Sequence, residues 1–267
     1  MNILMTGYNE KLVSIIINTH NGEKYISKCI NSIILQSYKN IEIIVWDNAS
    51  NDSTSKIVNS FEDERIKYFH SDTFDNLYKA RSKAITVANG YYITFLDTDD
   101  LILGNGISSR VNLLENSNSY ACYSNLFICK NFKKKNIFYK KKRLSGKIYK
   151  NLLNNYDICF LTLMFKAEIF KSINFDPKYN IIGDFDFVIK LSRKYDLVYC
   201  NKTVGIYNIY KTNLTNTNDK IHAEEIKSWF NKYYKTLLNN EKKLKRKIII
   251  KYIMLKSLDF LKKKKKI

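Results

Sequence analysis

The first hundred residues alternate between short apolar runs and segments with helical spacing. Val13 to Ile17 is almost wholly apolar and rich in isoleucine, as expected of a strand that is buried on both faces. From Ile26 to Ile34 the isoleucines recur at helical intervals, which predicts an amphipathic helix. Further strands are predicted at Ile41 to Trp46, Ile66 to Phe69 and Tyr91 to Leu96, with helices around Ile57 to Phe61 and Leu77 to Ala88.

This alternation of strands and helices predicts a parallel sheet whose crossovers are right-handed. Ligands of such sheets bind beyond the carboxyl ends of the strands. Asp47 and Asp97 each follow directly after a predicted strand. We therefore expect both carboxylates at one edge of the sheet.

Beyond residue 120 the pattern loosens into short strands and loops. Ile158 to Phe165 and Leu197 to Cys200 are the segments expected to form strands. A helical period begins at Ile221 and continues from Leu244 toward the final lysines. We predict an α/β domain over residues 1–215 and a basic helical extension over residues 216–267. The apolar face of this extension carries Ile226, Trp229, Phe230, Tyr233 and Leu237.

The net charge of +20 is unevenly distributed, because residues 216–267 carry more than half of it. A second basic stretch, Lys130 to Lys150, contains no acidic residue. Such segments bind nucleic acid, anionic lipid or nothing specific. The aromatic residues of the C-terminal segment recur at helical spacing, which favours packing over base stacking. The sequence contains no recognisable nucleic-acid-binding motif.

Five scattered cysteines without a C-x-x-C pair predict reduced, buried thiols. The sequence has no basic-then-apolar leader and no apolar run near the length that crosses a bilayer. We expect a cytoplasmic protein with weak peripheral binding to the inner face of the membrane through residues 240–267. Polybasic segments gain about 1 kcal/mol per Lys or Arg near anionic lipid. A purely solvated tail is the alternative.

The acidic motif Asp97-Thr98-Asp99-Asp100 follows the fourth predicted strand. Three crowded carboxylates repel one another unless a positive charge lies among them. Mg²⁺ and Mn²⁺ prefer hard oxygen ligands and use one or two carboxylates together with waters and substrate phosphates. The motif therefore predicts a metal and diphosphate site, and the alternative is a solvated turn that caps the next helix. Asp47 is likewise either a nucleobase or ribose acceptor or an ordinary loop residue.

Four motifs follow one another in the first hundred residues: Val13 to Val58, Asn76 to Arg81, Ala88 to Ile93 and Phe95 to Asp100. Their order and spacing closely resemble those of the family 2 glycosyltransferases, which are inverting enzymes with the GT-A fold. Further on, Phe175-Asp176-Pro177 and Gly183-Asp184-Phe185-Asp186-Phe187 are similar to the acceptor-side segment of that family. The likeness spans residues 12 to about 215 and is of the bacterial surface-polysaccharide type.

The resemblance implies a Rossmann-like three-layer α/β/α fold with a mainly parallel sheet, and it implies roles for single residues. Asp99 would ligate Mn²⁺ or Mg²⁺, with Asp97 as a helper and Asp100 as a structural residue. Asp184 matches the family's catalytic base, and a carboxylate within hydrogen-bond reach of the acceptor suffices for this task. The alternative for Asp184 is a helix N-cap. The residues that would bind the nucleotide sugar are Thr19, Asn21, Glu23, Asp47, Asn48, Arg81, Asp97 and Thr98.

The chain departs from the family pattern at several positions. Asn18 and His20 stand where the family often has Pro and Tyr, and Gly183 replaces an acidic neighbour of the base. The late Y-R-x-H segment ends here in Tyr210, so the histidine that helps with metal or phosphate is missing. None of the chain's three histidines is expected to replace it. Weaker metal binding follows, with Tyr210 or Lys211 contacting phosphate instead.

These observations predict an inverting glycosyltransferase that moves a sugar from a nucleotide-diphosphate donor, usually a UDP-sugar, to a glycan or lipid-linked acceptor. A nucleotidyltransferase is a second possibility, although the loop after the first strand is not a Gly-rich or basic phosphate loop. A third is a basic protein that binds RNA or polyanions without catalysis. Its affinity would fall steeply with salt and would not depend on Asp97, Asp99 or Asp184.

Overall fold

In the computed structural model, residues 10–130, 134–209 and 219–237 are described, and nine strands within them form one sheet. The strand order is β3-β2-β1-β4-β8-β6-β9-β5, and β7 pairs with β6. The strands are β1 (Val13–Thr19), β2 (Ile41–Asn48), β3 (Ile66–Ser71), β4 (Tyr92–Asp97), β5 (Leu101–Ile102), β6 (Ala121–Lys130), β7 (Lys134–Ile137), β8 (Met164–Lys166) and β9 (Leu197–Ile209). The helices are α1 (Ile26–Ile34), α2 (Thr54–Asn59), α3 (Leu77–Ile85), α4 (Gly106–Glu115), α5 (Tyr149–Asn154), α6 (Gly183–Lys194) and α7 (Asp219–Leu237).

The first four strands form the predicted parallel sheet. β1 lies between β2 and β4, and β2 also pairs with β3, all in parallel. Successive residues of β1 point to opposite faces, so Ile16 packs into one core cluster while Ile15 and Ile17 pack into the other. Helices α1, α2 and α4 cover the second face, and α3, α5 and α6 cover the first. This confirms the three-layer arrangement.

The second half of the sheet is mixed. β6 runs parallel to β9, whereas β8 is antiparallel to both β4 and β6, and β5 is antiparallel to β9. The strand predicted from Ile158 to Phe165 is wrong over most of its length, because Phe160–Thr162 forms a 3₁₀ turn. Arg110 stabilises the turn, because its buried Nη1 donates hydrogen bonds to the carbonyl oxygens of Leu161 (3.3 Å) and Leu163 (3.0 Å).

Helix α7 confirms the helical period predicted from Ile221. Trp229 is buried, and Ile226, Phe230 and Tyr233 pack against the core cluster that also contains α6. The side chain of Leu237 and the segments 210–218 and 238–267 lie outside the described residues. The boundary predicted between residues 215 and 216 stays a prediction. In the described ranges, no helix combines the length and apolarity that crossing a membrane requires.

Candidate active site

The predicted strand-end residues meet at one edge of the sheet. In the register of the parallel strands, Thr19 lies opposite Asp47, and Asn18 lies opposite Asp97. The carboxyl ends of β2, β1 and β4 therefore bring the two acids to either side of the first strand. The loops that follow these strands build the site.

The loops after β1 and β2 are tied together by side chains that were predicted to bind the nucleotide. Asn21 accepts a hydrogen bond from the backbone N–H of Asn51 (2.9 Å), and Glu23 accepts one from the N–H of Ser53 (2.9 Å). Asn21 has a positive φ of 51°, which an asparagine tolerates well. Both side chains brace this loop pair, and their contact with a nucleotide stays a prediction.

Asp47 lies beneath these loops with its carboxylate fully buried. Its Oδ1 accepts from the N–H of Ser50 (2.9 Å) and its Oδ2 from the hydroxyl of Tyr68 (2.6 Å). Desolvation raises the pKa of Tyr68 to about 12, and the bond to Asp47 adds to the rise. The carboxylate of Asp47 thus holds the loop around Ser50, and its contact with a nucleobase stays a prediction.

An aromatic pair that the sequence did not reveal stands at the same edge. The ring of His20 packs edge-on against Phe74, with centroids 4.6 Å apart, and its Nδ1 lies 2.9 Å from the carbonyl oxygen of Asn48. Asn48 in turn exchanges two hydrogen bonds with the backbone of Asp75, at 2.7 and 3.0 Å. Phe74 is 64% exposed. An exposed phenylalanine in an otherwise polar loop was the only available signal.

The chain is tightly packed where β1 ends. A Cβ at Gly22 would lie 2.2 Å from Thr19 Oγ1 and 2.9 Å from Thr98 Cγ2, so the loop admits no side chain there. Thr98 donates from its hydroxyl to the carbonyl of Asn18 (3.1 Å). Among the described residues, the buried amide atoms of Asn18 and the buried hydroxyl of Thr19 have no hydrogen-bond partner. Buried polar atoms without partners are uncommon and are a feature of sites that receive a polar ligand.

The acidic motif turns away from β4 and is held by β9. Asp100 is fully buried, and its Oδ1 accepts from the N–H of Asn208 (2.8 Å). The Nδ2 of Asn208 donates to the carbonyl of Asp99 (2.6 Å). Desolvation, together with the charge of Asp97, raises the pKa of Asp99 to about 6. Asp100 therefore fixes the turn, in agreement with the structural part predicted for it.

The donor set fits a hard divalent cation that also binds substrate. Crowded carboxylates gain from a cation between them, and the carboxyl oxygens of Asp97 and Asp99 are of the kind that Mn²⁺ and Mg²⁺ prefer. Within residues 10–130, 134–209 and 219–237, no three His, Cys, Asp or Glu side chains are grouped so that they could hold a metal. A Mg²⁺ ion held by one or two carboxylates usually takes its other ligands from water and substrate phosphates. The predicted phosphate contacts Tyr210 and Lys211 lie outside the described residues.

Arg81 joins the acidic motif to the predicted base. Its Nη2 donates to Asp97 Oδ1 (2.8 Å), and its Nη1 donates to Asp184 Oδ1. The guanidinium is 1% exposed and lies over the ring of Phe160, 4.6 Å from its centroid. The carboxylates remain accessible, because the side chain of Asp97 is 43% exposed and that of Asp184 is 28% exposed. The guanidinium of Arg81 is therefore buried behind these two acids, and its predicted part in orienting the donor stays a prediction.

Asp184 lies in the first turn of α6, as the N-cap alternative had placed it, but it does not cap the helix. The N-cap position is Ile182, whose side chain forms no hydrogen bond with the helix end. Partial burial raises the pKa of Asp184 to about 6, Arg81 opposes the rise, and Asp97 adds to it. A carboxylate with such a pKa can accept a proton near neutral pH.

A cavity of about 450 Å³ opens beside the two bridged acids. Its polar lining includes Asp97, Asp100 and Asp184 together with His222 from α7. No feature of the sequence around His222 indicated this position, and the expectation that no histidine replaces the missing one stays a prediction. The apolar walls include Leu152, Tyr156, Phe160, Phe185, Ile226 and Trp229.

Comparison with known proteins agrees with this geometry. The family model described as glycosyl transferase family 2 matches residues 14–174. An Escherichia coli protein named UDP-Glc:alpha-D-GlcNAc-diphosphoundecaprenol beta-1,3-glucosyltransferase WfaP is 31% identical over 216 residues, which cover 81% of this chain and 80% of the relative. This similarity extends well beyond the acidic motif.

Two solved structures share the fold. S. aureus TarS in complex with UDP-GlcNAc superposes with a TM-score of 0.68 at 17% identity, covering 90% of this chain and 71% of that one. The mannosyltransferase PcManGT from Pyrobaculum calidifontis, in complex with GDP-Man and Mn²⁺, gives a TM-score of 0.59 at 16% identity and covers 86% of this chain and 65% of that one. The chain therefore belongs to glycosyl transferase family 2 and is a glycosyltransferase with the GT-A fold.

Proposed function

We propose that the protein is an inverting glycosyltransferase that moves a sugar from a UDP-sugar to a hydroxyl of a lipid-linked glycan, with Asp184 as the general base. The observation that carries this proposal is the Arg81 bridge. One guanidinium binds both Asp97, at the end of β4, and Asp184, in the first turn of α6. A donor at the strand edge and an acceptor in the cavity would meet between the two acids.

The donor would bind along the edge formed by β1, β2 and β4. The unpartnered hydroxyl of Thr19 and the braced loops of Asn21 and Glu23 lie there. Thr98, Asn48 and Asp47 complete the proposed nucleotide-sugar contacts. In support, the E. coli relative is named for a UDP-Glc donor, and the TarS structure contains UDP-GlcNAc.

The transfer is a single displacement at the anomeric carbon. The acceptor hydroxyl oxygen forms the new glycosidic bond while the bond between the anomeric carbon and the diphosphate oxygen breaks, and UDP leaves with the electron pair. Asp184 takes the proton of the hydroxyl. Arg81 occupies its Oδ1, which leaves Oδ2 for the incoming proton. The configuration inverts because attack and departure occur on opposite faces.

A divalent cation, when bound, would neutralise the negative charge that develops on the leaving diphosphate. Asp99 is the residue proposed to ligate it, with Asp97 assisting. The PcManGT structure, which contains Mn²⁺, supports the use of a divalent metal in this fold.

The acceptor would enter the cavity with its hydroxyl toward Asp184. The apolar walls suit an acceptor that carries a lipid or another apolar group, and the E. coli relative is named for a diphosphoundecaprenol acceptor. Binding of residues 240–267 to anionic membrane would bring the enzyme to such acceptors. Equal flotation of the protein with anionic and neutral vesicles would remove this membrane contact from the proposal.

The test has two stages. Thermal unfolding is measured with UDP, GDP and their sugars, with and without Mn²⁺, and we expect metal-dependent stabilisation by UDP compounds. Sugar transfer is then measured from UDP-glucose to a synthetic GlcNAc-diphospholipid. Asp184→Asn is expected to retain nucleotide stabilisation and to lose transfer by about 10²- to 10⁴-fold, the usual contribution of a general base.

Asp196→Asn is the matched control, because Asp196 is an exposed residue just after α6. It should behave as the wild type in both stages. Two results would refute the proposal: no metal-dependent stabilisation by any of the nucleotides, or transfer that survives in Asp184→Asn.

A further inference from the structure

Helix α7 contacts the segment that leads into α6, the helix that carries Asp184. The carboxylate of Glu225 accepts hydrogen bonds from three consecutive backbone N–H groups: Asn180 (2.6 Å), Ile181 (3.0 Å) and Ile182 (3.1 Å). Glu225 is itself buried. One acid, 43 residues further along the chain than Ile182, thus fixes the backbone directly before the base.

This contact lies at a helix end that has no side-chain cap of its own. The first N–H groups of a helix have no partner within the helix, and a side chain before it usually accepts from them. Here the N-cap is Ile182, whose side chain has no acceptor, and no side-chain cap is formed at that position. An anion at this end is also favoured by the helix dipole. Of the N–H groups that Glu225 binds, that of Ile182 belongs to the N-cap of α6, and those of Asn180 and Ile181 belong to the segment before it. Glu225 therefore holds the entry to the base-bearing helix from a different element.

A second contact from α7 reaches α6 on the other side of Asp184. Trp229, one turn after Glu225, donates from its indole Nε1 to Asp186 Oδ1 (2.9 Å). Trp229 is buried, and Asp186 also pairs with Lys190. Helix α7 therefore holds both the backbone before Asp184 and the side chain of Asp186.

We propose that Glu225 is a positioning residue for catalysis: by holding the backbone that leads into α6 it sets the position of Asp184 relative to the acceptor. The inference rests on the proposed function of Asp184. Glu225 lies beyond residues 14–174, the part of the chain that the family model matches. The effect should appear in the chemical step, because the donor edge consists of loops after β1, β2 and β4, whereas α7 borders the cavity.

Glu225→Gln is the primary test, since it keeps the size of the side chain but removes its charge and turns one acceptor into a donor that faces N–H groups. We expect kcat for transfer from UDP-glucose to the GlcNAc-diphospholipid to fall about 10- to 100-fold, the scale that a displacement of about 1 Å produces. The KM for the donor and the thermal shift with UDP and Mn²⁺ should not change. Glu224→Gln is the matched control, because Glu224 is the exposed neighbour on the same helix, and it should leave kcat unchanged.

A double-mutant cycle separates positioning from general stabilisation. If Glu225 acts through the base, Glu225→Gln should have no further effect on the residual rate of Asp184→Asn. An unchanged kcat in Glu225→Gln, or an equal loss in both backgrounds, would overturn the inference while leaving the proposed function intact. If Asp184→Asn itself retains transfer, the proposed function fails instead. If Glu225→Gln does not fold, the same measurements are made on Glu225→Asp, whose side chain is one methylene shorter, and they are judged by the same results.

Discussion

Replacement of Arg81 by methionine tests the bridge between the two acids. The substitution keeps an unbranched side chain inside the aromatic surroundings but removes the charge that Asp97 and Asp184 share. Breaking a buried ion pair by removing one partner costs about 3–5 kcal/mol. The two carboxylates are partly exposed and can regain water, so we expect a loss near the lower end, about 3 kcal/mol. For a chain of this size that loss lowers the melting temperature by roughly 6–12 °C.

The same substitution should change the pH dependence of catalysis. The pKa of Asp184 is raised to about 6 by burial, and Arg81 opposes that rise. Without the guanidinium the pKa must increase further, because the positive charge that favours the carboxylate is gone. The acid limb of the profile of kcat/KM against pH should therefore move to higher pH, and the rate at pH 7 should fall.

Arg110→Met is the matched control. Arg110 is also fully buried, but its guanidinium donates to uncharged oxygens, those of Thr94 and of the carbonyls of Gly106, Leu161 and Leu163. Desolvation lowers its pKa to about 10. Its loss should destabilise the protein without moving the acid limb. An acid limb that stays in place in Arg81→Met, or one that moves equally in both variants, would refute the reasoning.

Three further outcomes follow from the site. In the wild type, kcat/KM should fall as the pH drops below about 6, because Asp184 becomes protonated; a flat profile down to pH 5 would contradict this. Asp99→Asn should abolish stabilisation by UDP with Mn²⁺, yet raise the melting temperature of the metal-free protein at pH 7 by roughly 2–4 °C, or about 1 kcal/mol. The folded pKa of Asp99 is about 6, above its usual 3.8, so its charge costs stability in full above pH 6, and the gain should fade as the pH falls from about 6 to 3.8. Gly22→Ala should weaken nucleotide binding, since its Cβ would lie 2.2 Å from Thr19 Oγ1, whereas Gly104→Ala, whose nearest neighbour is 4.0 Å away, should have little effect.

The first half of the fold could be predicted from the sequence because its signals are local. A buried parallel strand needs a continuous apolar run, and the run ends where the sheet edge meets solvent. The positions of Asp47 and Asp97 at that edge followed from the ends of two such runs. The extended pairing of β6 with β9 could not be predicted in the same way, because the hydrophobic pattern of one strand does not identify a partner strand far along the chain.

Within the site, sequence and tertiary structure determined different things. The sequence by itself specified the chemical groups: the acids of the motif, the base candidate Asp184 and the family to which they belong. Only the tertiary structure decided their partners, because hydrogen bonds and ion pairs depend on distance and burial rather than on spacing along the chain. Arg81 meets Asp184 across 103 positions, and Glu225 meets Ile182 across 43. Such contacts arise when separate elements pack on one core, so the arrangement that gives each acid its pKa and its place appears only in the folded chain.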